Sequence, residues 1–457
     1  MNKNINEWFD NNKDALIKLS DDIFNHPEVG NTEEYACRRT AEYMSFYGFD
    51  VKKIVVSPSK VENGVIARFG SGKPVIGIIG EYDALPGLGQ AAVPYRCEIE
   101  GPGHGCGHNL MNAACSSAAV ALKETMEKEN IPGTIVYLAC PAEEVLTGKV
   151  SMIASGCFDD IDVCAAWHDE REFRVIEEVN QADIMVKFDF HGITAHAAAS
   201  PHKAKSALDA AQLMNMGVEF LREHVTDDVR MHYVFEDGGI RPNVVPDHAS
   251  LIYSIRAKTM KTCKETFLRV INIAKGAAIM TETTVDYTLQ GGCYEPIINH
   301  TLNKAMYDAA MKVPKLEYSK DELDFAKQLY TSVLNKEPVG ELLPVSFSEL
   351  TGKISFDYGS SDVNDVSQVI PTVQLYGGAK INELRGHHWS MTASAGSSIG
   401  HTAAIYASKI LAQFGYDLFV NPDIVKKSQN EHRKTTENNQ IYESILYETE
   451  PKEIKLD

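Results

Sequence analysis

Four short runs, VIGIIG (75–80), TIVYLAC (134–140), DVCAAW (162–167) and TVQLYGG (372–378), constrain the fold more than any other feature. They are apolar at consecutive rather than alternate positions and too short for buried helices. Strands covered on both faces have this composition, and they belong to parallel sheets sandwiched between helices. A helical stretch from about Asn109 to Lys128 separates the first two runs, which gives the βαβ rhythm of an α/β domain. In such a sheet, ligands bind just beyond the carboxyl ends of the strands. Each run leads at that end to reactive side chains: Asp83 in EYDALPG, Glu143 and Glu144 in PAEE, His168 in WHD, His387 and His388 in GHHW. GHGCGHN adds Cys106 and His108. Thiol, imidazole and carboxylate gathered at one sheet edge predict a metal site, of the kind that hydrolyses.

The 457 residues exceed what one core supports, about 250–300. The pattern changes near Gln181, where ADIMVKFDFHG alternates apolar and polar residues as a half-exposed antiparallel strand does. A helix over 206–224, strands near 231–235 and 249–257, a helix over 263–280 and a strand over 284–289 follow. This β-α-β-β-α-β order predicts a ferredoxin-like α+β domain at 181–293. It is inserted into a discontinuous α/β domain formed by 1–180 and 294–457. That larger domain opens with helices over 8–24 and 32–47 and a strand near 61–69, and it ends in a helix over 402–414. The polar tail from Asn421 is compatible with packing or with disorder.

A net charge of −19 argues against nucleic acid or an anionic membrane as the main partner. No run reaches the ~18–20 apolar residues of a membrane span, and the N-terminal stretch has no secretory or mitochondrial pattern. Nine scattered cysteines fit a reducing compartment. A cytoplasmic enzyme acting on a small molecule is expected.

Cys106 and His108, two apart, face the same way if the stretch is extended, and Asn109 is placed to cap the following helix, whose N-terminus favours thiolate. An ordinary buried thiol and a turn histidine explain the pair equally well. The adjacent Glu143 and Glu144 resist joint ionisation without a cation; one as ligand and one as base would use both. His168 alone reads as a turn histidine, and the doublet at 387 and 388 leaves open which ring points inward. Asp83 suits a carboxylate orienting a ligand. In the inserted segment, His196 lies between a strand and a helix, and Arg256 ends an alternating strand where it could hold a carboxylate or form a structural ion pair. Asn243 lies in NVVPDHASLIYSIRA.

The stretches EYDALPGLGQ, GPGHGCGHNL, PAEE, HGITAHAAASPH, SALDA and SSDVNDVSQVIPT resemble the M20 family of metallopeptidases and amidohydrolases, nearest its group of aminobenzoyl-glutamate hydrolase chains. The resemblance implies a di-metal catalytic domain with an inserted lid or dimerisation domain. It implies Cys106, His108, Glu144, His168 and His387 as ligands of two divalent ions (Mn, Zn, Co or Ni) and Asp83 beside them. Glu143 becomes the general base for metal-activated water. Glu81 stands where many relatives carry a ligand histidine. His196 becomes an oxyanion donor reaching a partner's site, and Asn243 and Arg256 substrate-carboxylate contacts. The implied reaction is cleavage of the amide of an N-acyl amino acid with a free carboxylate, such as p-aminobenzoyl-glutamate, by a homodimer or a heterodimer with a related chain. A dipeptidase, an indoleacetyl-amino-acid hydrolase, a non-catalytic member of a hetero-oligomer and a Cys106 nucleophile are the alternatives.

Overall fold

The computed structural model describes residues 1–97, 99–437 and 441–456. The chain divides into two compact units. The first comprises Met1–Glu178, Pro296–Ser355 and Val366–Tyr442, the second Val179–Glu295, Phe356–Asp365 and Glu443–Asp457.

The first unit is built on a seven-stranded sheet in the order Asp50–Ile54, Gly64–Ser71, Gly133–Cys140, Val75–Glu81, Val163–His168, Thr372–Tyr376, Arg174–Val175. The middle four strands are parallel, and the flanking pairings are antiparallel. The four apolar runs are therefore the parallel centre. Val75–Glu81 and Gly133–Cys140 are buried at every position, as strands covered on both faces must be. Asp50–Ile54, an edge strand, has mostly exposed or half-exposed positions and carries no apolar run that would announce it in the sequence.

Helix His108–Glu129 is buried almost all round, and its alanines 113, 114, 118, 119 and 121 let helices Lys3–Phe24 and Ser398–Val420 approach closely. Leu110 and Leu122 are fully buried on it; truncating either to Ala would cost about 2–5 kcal/mol. Trp167 is buried at the end of its strand, its indole N–H donating to the Gly377 carbonyl at 2.7 Å. This ties the strand carrying His168 to the segment leading to His387.

The second unit has a five-stranded antiparallel sheet in the order Lys452–Glu453, Thr284–Cys293, Ala182–His191, His248–Ala257, Arg230–Asp237. Helices Ala207–Leu221 and Met260–Thr281 pack on it. Ile184, Val186, Phe188 and Phe190 are buried, while the residues between them are only partly so; the alternation near Gln181 reflects this one-sided cover. The expectation that everything after 294 joins the first domain is corrected in two places. Residues 443–457 cluster with the second unit because Lys452 and Glu453 pair with Tyr287 and Asp286. Residues 356–365 do so because Gly359 and Ser360 bond to Gln181 and Asp365 to Tyr294. The tail beyond Asn421 is ordered in part as helix Asp423–Thr436. Among the described residues no helix is long and apolar enough to cross a membrane.

Candidate metal centre

Parallel register sets the strand ends level. Glu81 lies opposite Cys140, and Tyr376 opposite His168. The segments leaving these ends therefore start from one edge of the sheet. After Cys140 the chain turns through Ala142, which has a positive φ of 55°. The buried Glu33 carboxylate accepts its backbone N–H at 2.7 Å, which fixes where Glu143 and Glu144 emerge.

Cys106 and His108 do not lie on an extended segment. Residues 105 and 106 form a turn, and Gly107 takes a left-handed conformation (φ 79°) as the N-cap residue of the helix that begins at His108. Asn109 falls inside the first turn instead of capping it, and its amide donates to Ser20 Oγ at 2.9 Å and to the Ala395 carbonyl at 3.2 Å. The reason lies in Gly107: a Cβ there would stand 2.5 Å from Asp169 Oδ2, so only glycine permits both the turn and the approach.

His108 Nδ1 and Asp83 Oδ1 are 2.9 Å apart, and Asp83 Oδ2 accepts the Glu144 backbone N–H at 2.9 Å. With Nδ1–H given to Asp83, His108 turns Nε2 toward a ring of carboxylates: Glu81 at 3.6 Å, Glu143 at 3.9 Å and Glu144 at 4.0 Å. Cys106 Sγ lies 3.5 Å from His168 Nε2, and His387 Nε2 lies 3.5 Å from Glu144 Oε2. Three overlapping triads, each with ligand atoms within 4.8 Å of one another, result: Cys106–His108–His168, Cys106–Glu144–His387 and His108–Glu143–Glu144. The histidine doublet separates by role. His387 (φ 51°) is held by its backbone N–H on the Gly105 carbonyl at 3.1 Å and faces Glu144. His388 accepts the Ser390 N–H and caps the helix Trp389–Ala395.

The electrostatics describe a cluster short of positive charge. Burial, then Glu81, pushes Glu143 up to about 7, and burial together with Glu143 and Asp83 pushes Glu144 up to about 8 against the pull of His108. Burial opposes charge on His108, yet Asp83 and Cys106 carry its pKa well above the usual value. Burial, then Glu144, pushes the Cys106 thiol up to about 12, and burial lowers His168 to about 4. Among the described residues, His108 Nε2, Glu144 Oε1 and Glu81 Oε2 are buried without hydrogen-bond partners, an arrangement that costs about 1–3 kcal/mol per group unless a ligand satisfies it. A divalent cation among these atoms would satisfy the lone pairs and offset the crowded carboxylates. The donor set therefore fits a metal.

Four residues at this edge were not picked out as site residues by sequence reasoning: Glu81, Lys149, Asp169 and Tyr376. Lys149 Nζ is 2.6 Å from Glu81 Oε1, with the side chains 0% and 3% exposed. A lysine in the short helix Gly148–Ala154 gives no sequence signal of complete burial. Asp169 accepts the Ala379 N–H at 2.6 Å, and the Tyr376 ring lies 5.2 Å from that of His168. The strand-end positions of Glu81 and Tyr376 were the available signal.

The three remaining candidates lie in the second unit. His196 bridges to Val244, and the Asn243 carbonyl accepts the Ala197 N–H at 3.0 Å, so His196 and Asn243 share one exposed corner. His196 Nδ1 accepts the Ala198 and Ala199 N–H groups at 3.2 and 3.1 Å. Arg256 Nε lies 3.1 Å from the buried Asp183 carboxylate and 3.0 Å from Ser254 Oγ. It stands near the far end of the ten-residue strand that follows Asn243, about 25–30 Å along the strand at 3.3 Å per residue.

Residues 77–445 match the profile of peptidase family M20/M25/M40. The chain is 34% identical over 477 aligned residues to a chain of the p-aminobenzoyl-glutamate hydrolase of Escherichia coli, covering 99% of this chain and 98% of that protein. Among solved structures, an aminobenzoyl-glutamate utilization protein from Klebsiella pneumoniae matches with a TM-score of 0.63 at 18% identity, covering 88% of this chain and 98% of that one. A Bacillus subtilis protein described as a dinuclear metal binding peptidase of the M20 family matches with a TM-score of 0.56 at 17% identity, covering 89% and 98%. These structural likenesses concern the fold; the family follows from the profile and the sequence identity. The chain belongs to peptidase family M20/M25/M40 and is a metal-dependent hydrolase of amide bonds.

Proposed function

We propose that the protein cleaves the amide of an N-acyl amino acid that keeps a free carboxylate on the leaving side, such as p-aminobenzoyl-glutamate, in the cytoplasm. The observation that carries this is the burial of His108 Nε2 and Glu144 Oε1 without hydrogen-bond partners among the described residues, set beside Cys106, His168 and His387. Those five residues would hold two divalent ions, and a mixed thiolate, imidazole and carboxylate set suits Mn, Zn, Co or Ni. Bound divalent ions supply Lewis acidity, lowering the pKa of water and polarising the amide carbonyl. The name of the Escherichia coli relative supports the substrate.

Glu143 takes the proton of the attacking water and passes it to the departing amine nitrogen. Its carboxylate is buried at the same edge, 3.9 Å from His108 Nε2, and among the described residues no hydrogen bond ties it down. Asp83 fixes the His108 ring and, through the Glu144 backbone, the neighbouring carboxylate. His196 has its Nδ1 occupied by two backbone N–H groups, so its proton sits on Nε2, ready to be donated to the oxyanion. We assign His196 and Asn243 of a second chain, identical or related, to each site; the Escherichia coli relative is named as one subunit, which accords with an oligomer.

A hydrolysis screen of N-acyl amino acids and dipeptides with manganese- or zinc-loaded protein tests the reading. Release of the free amino acid, abolished by a chelator and restored by metal, is expected. Absence of any amide cleavage, or cleavage indifferent to chelation, would refute it.

A further inference from the structure

The carboxylate of Glu81, the last residue of the strand Val75–Glu81, faces the metal centre but has no part in the ligand set or the proton transfer described above. Its side chain is 3% exposed, and its two oxygens differ in their surroundings. Oε1 lies 2.6 Å from Nζ of Lys149, whose side chain is 0% exposed. Oε2 has no hydrogen-bond partner among the described residues. It stands 3.6 Å from His108 Nε2, too far for a hydrogen bond, and that nitrogen is itself without a partner among the described residues. A purely structural ion pair satisfies both oxygens, because a buried charge with an idle lone pair costs free energy.

Distance decides what the idle oxygen is placed for. Two ligands on one four-coordinate zinc, with bonds of about 2.0–2.2 Å, stand about 3.4 Å apart. Glu81 Oε2 comes closer to that spacing from His108 than does Glu143 at 3.9 Å or Glu144 at 4.0 Å. It also matches the 3.5 Å between Cys106 Sγ and His168 Nε2 and between His387 Nε2 and Glu144 Oε2. Charge points the same way. The five ligands proposed above bring one thiolate and one carboxylate against two divalent ions, and Glu143 is kept for the proton. A further buried carboxylate offsets that excess.

We propose that Glu81 is a sixth ligand of the metal centre, giving Oε2 to the ion on His108, and that Lys149 is a positioning residue that holds Oε1 and keeps the carboxylate monodentate. The inference rests on the two-ion reading above and deepens it. The ion on His108 then has one position fewer for water or substrate than the ion held by Glu144 and His387. The two ions are therefore inequivalent: the first is more closed and more tightly held, the second more open.

The test is zinc binding to the full chain, read by competition with a chromogenic chelator. The parent should take up two ions of unequal affinity. The double variant E81Q/K149M removes both charges together and so leaves no unpaired charge buried. It should hold the tighter ion at least about 100-fold less well, beyond the roughly 10–100-fold that loss of an outer partner costs. Equal affinities in the parent, or a smaller loss in the double variant, would overturn ligation by Glu81. Lys149→Met alone leaves a buried carboxylate without its lysine, so zinc should raise its thermal midpoint by more than it raises the parent's. An equal or smaller rise would overturn the role given to Lys149. A parent that binds no zinc would overturn the two-ion reading, and this inference with it.

Discussion

The strand-end cluster of the first unit and the His196 corner of the second are organised in opposite ways. In the cluster, three orientations are set by other buried side chains: Asp83 fixes His108, Glu33 fixes the turn before Glu143, Lys149 fixes Glu81. At the corner, His196 and Asn243 are exposed and held only by backbone bonds. A buried polar network keeps its geometry without help, provided its charge is matched. An exposed corner becomes a binding surface only when something covers it. In the function proposed above, the cluster serves as the site for ions, and the corner as half of a site whose other half arrives with substrate or a second chain.

Three perturbations sharpen this contrast, in order of size. His196→Ala should lower kcat by about 10²–10³-fold while leaving metal content intact, as loss of one oxyanion donor does. Mixing it with an equal amount of Glu143→Gln chains should restore about a quarter of parental activity if each site draws on two identical chains. No restoration after dissociation and reassembly would argue that the corner serves its own chain or a different partner. Asp83→Asn acts within the cluster instead: metal affinity should fall about 10–100-fold, because the ligand ring loses its orienting acceptor. Unchanged affinity by competition with a chromogenic chelator would show that Asp83 does not orient His108.

The smallest effect belongs to the exposed network of the second unit. His248 bridges Asp237 at 2.8 Å and Asp189 at 3.0 Å. Burial opposes its charge, but the two carboxylates raise its pKa above the ordinary value. A raised imidazole pKa stabilises the fold fully below the unfolded value near ~6.5, and that stabilisation is lost as pH rises through the folded value. The thermal midpoint gap between parent and His248→Ala should therefore be largest at acidic pH and shrink above it. A gap that widens with pH would contradict this sign.

Much of this arrangement was legible in the sequence, for reasons specific to particular residues. Runs such as TIVYLAC announce a parallel sheet because burial on both faces removes polar alternation, and a parallel sheet fixes where Glu143, Glu144 and His168 must emerge. The β-α-β-β-α-β order of the second unit was visible in its alternating strand at Ala182–His191. What stayed hidden was set by contacts distant in sequence. The Lys149–Glu81 pair joins residues far apart in the chain, and Lys149 is a type seldom buried. Gly107 rather than Asn109 caps its helix because Asp169 fills the space beside it. The short strand Lys452–Glu453 is defined only by the edge it covers. Distinguishing His387 from His388 likewise required the Ser390 cap and the Gly105 contact.

The central claim is that two adjacent carboxylates at one strand end do different work, Glu144 holding metal and Glu143 moving the proton. Metal content and turnover measured side by side for Glu143→Gln and Glu144→Gln test it directly. Glu143→Gln should keep about two divalent ions per chain and lose about 10²–10⁴-fold in turnover, whereas Glu144→Gln should lose bound metal along with activity. Retention of turnover within about tenfold in Glu143→Gln, or full metal occupancy in Glu144→Gln, would contradict the division of labour.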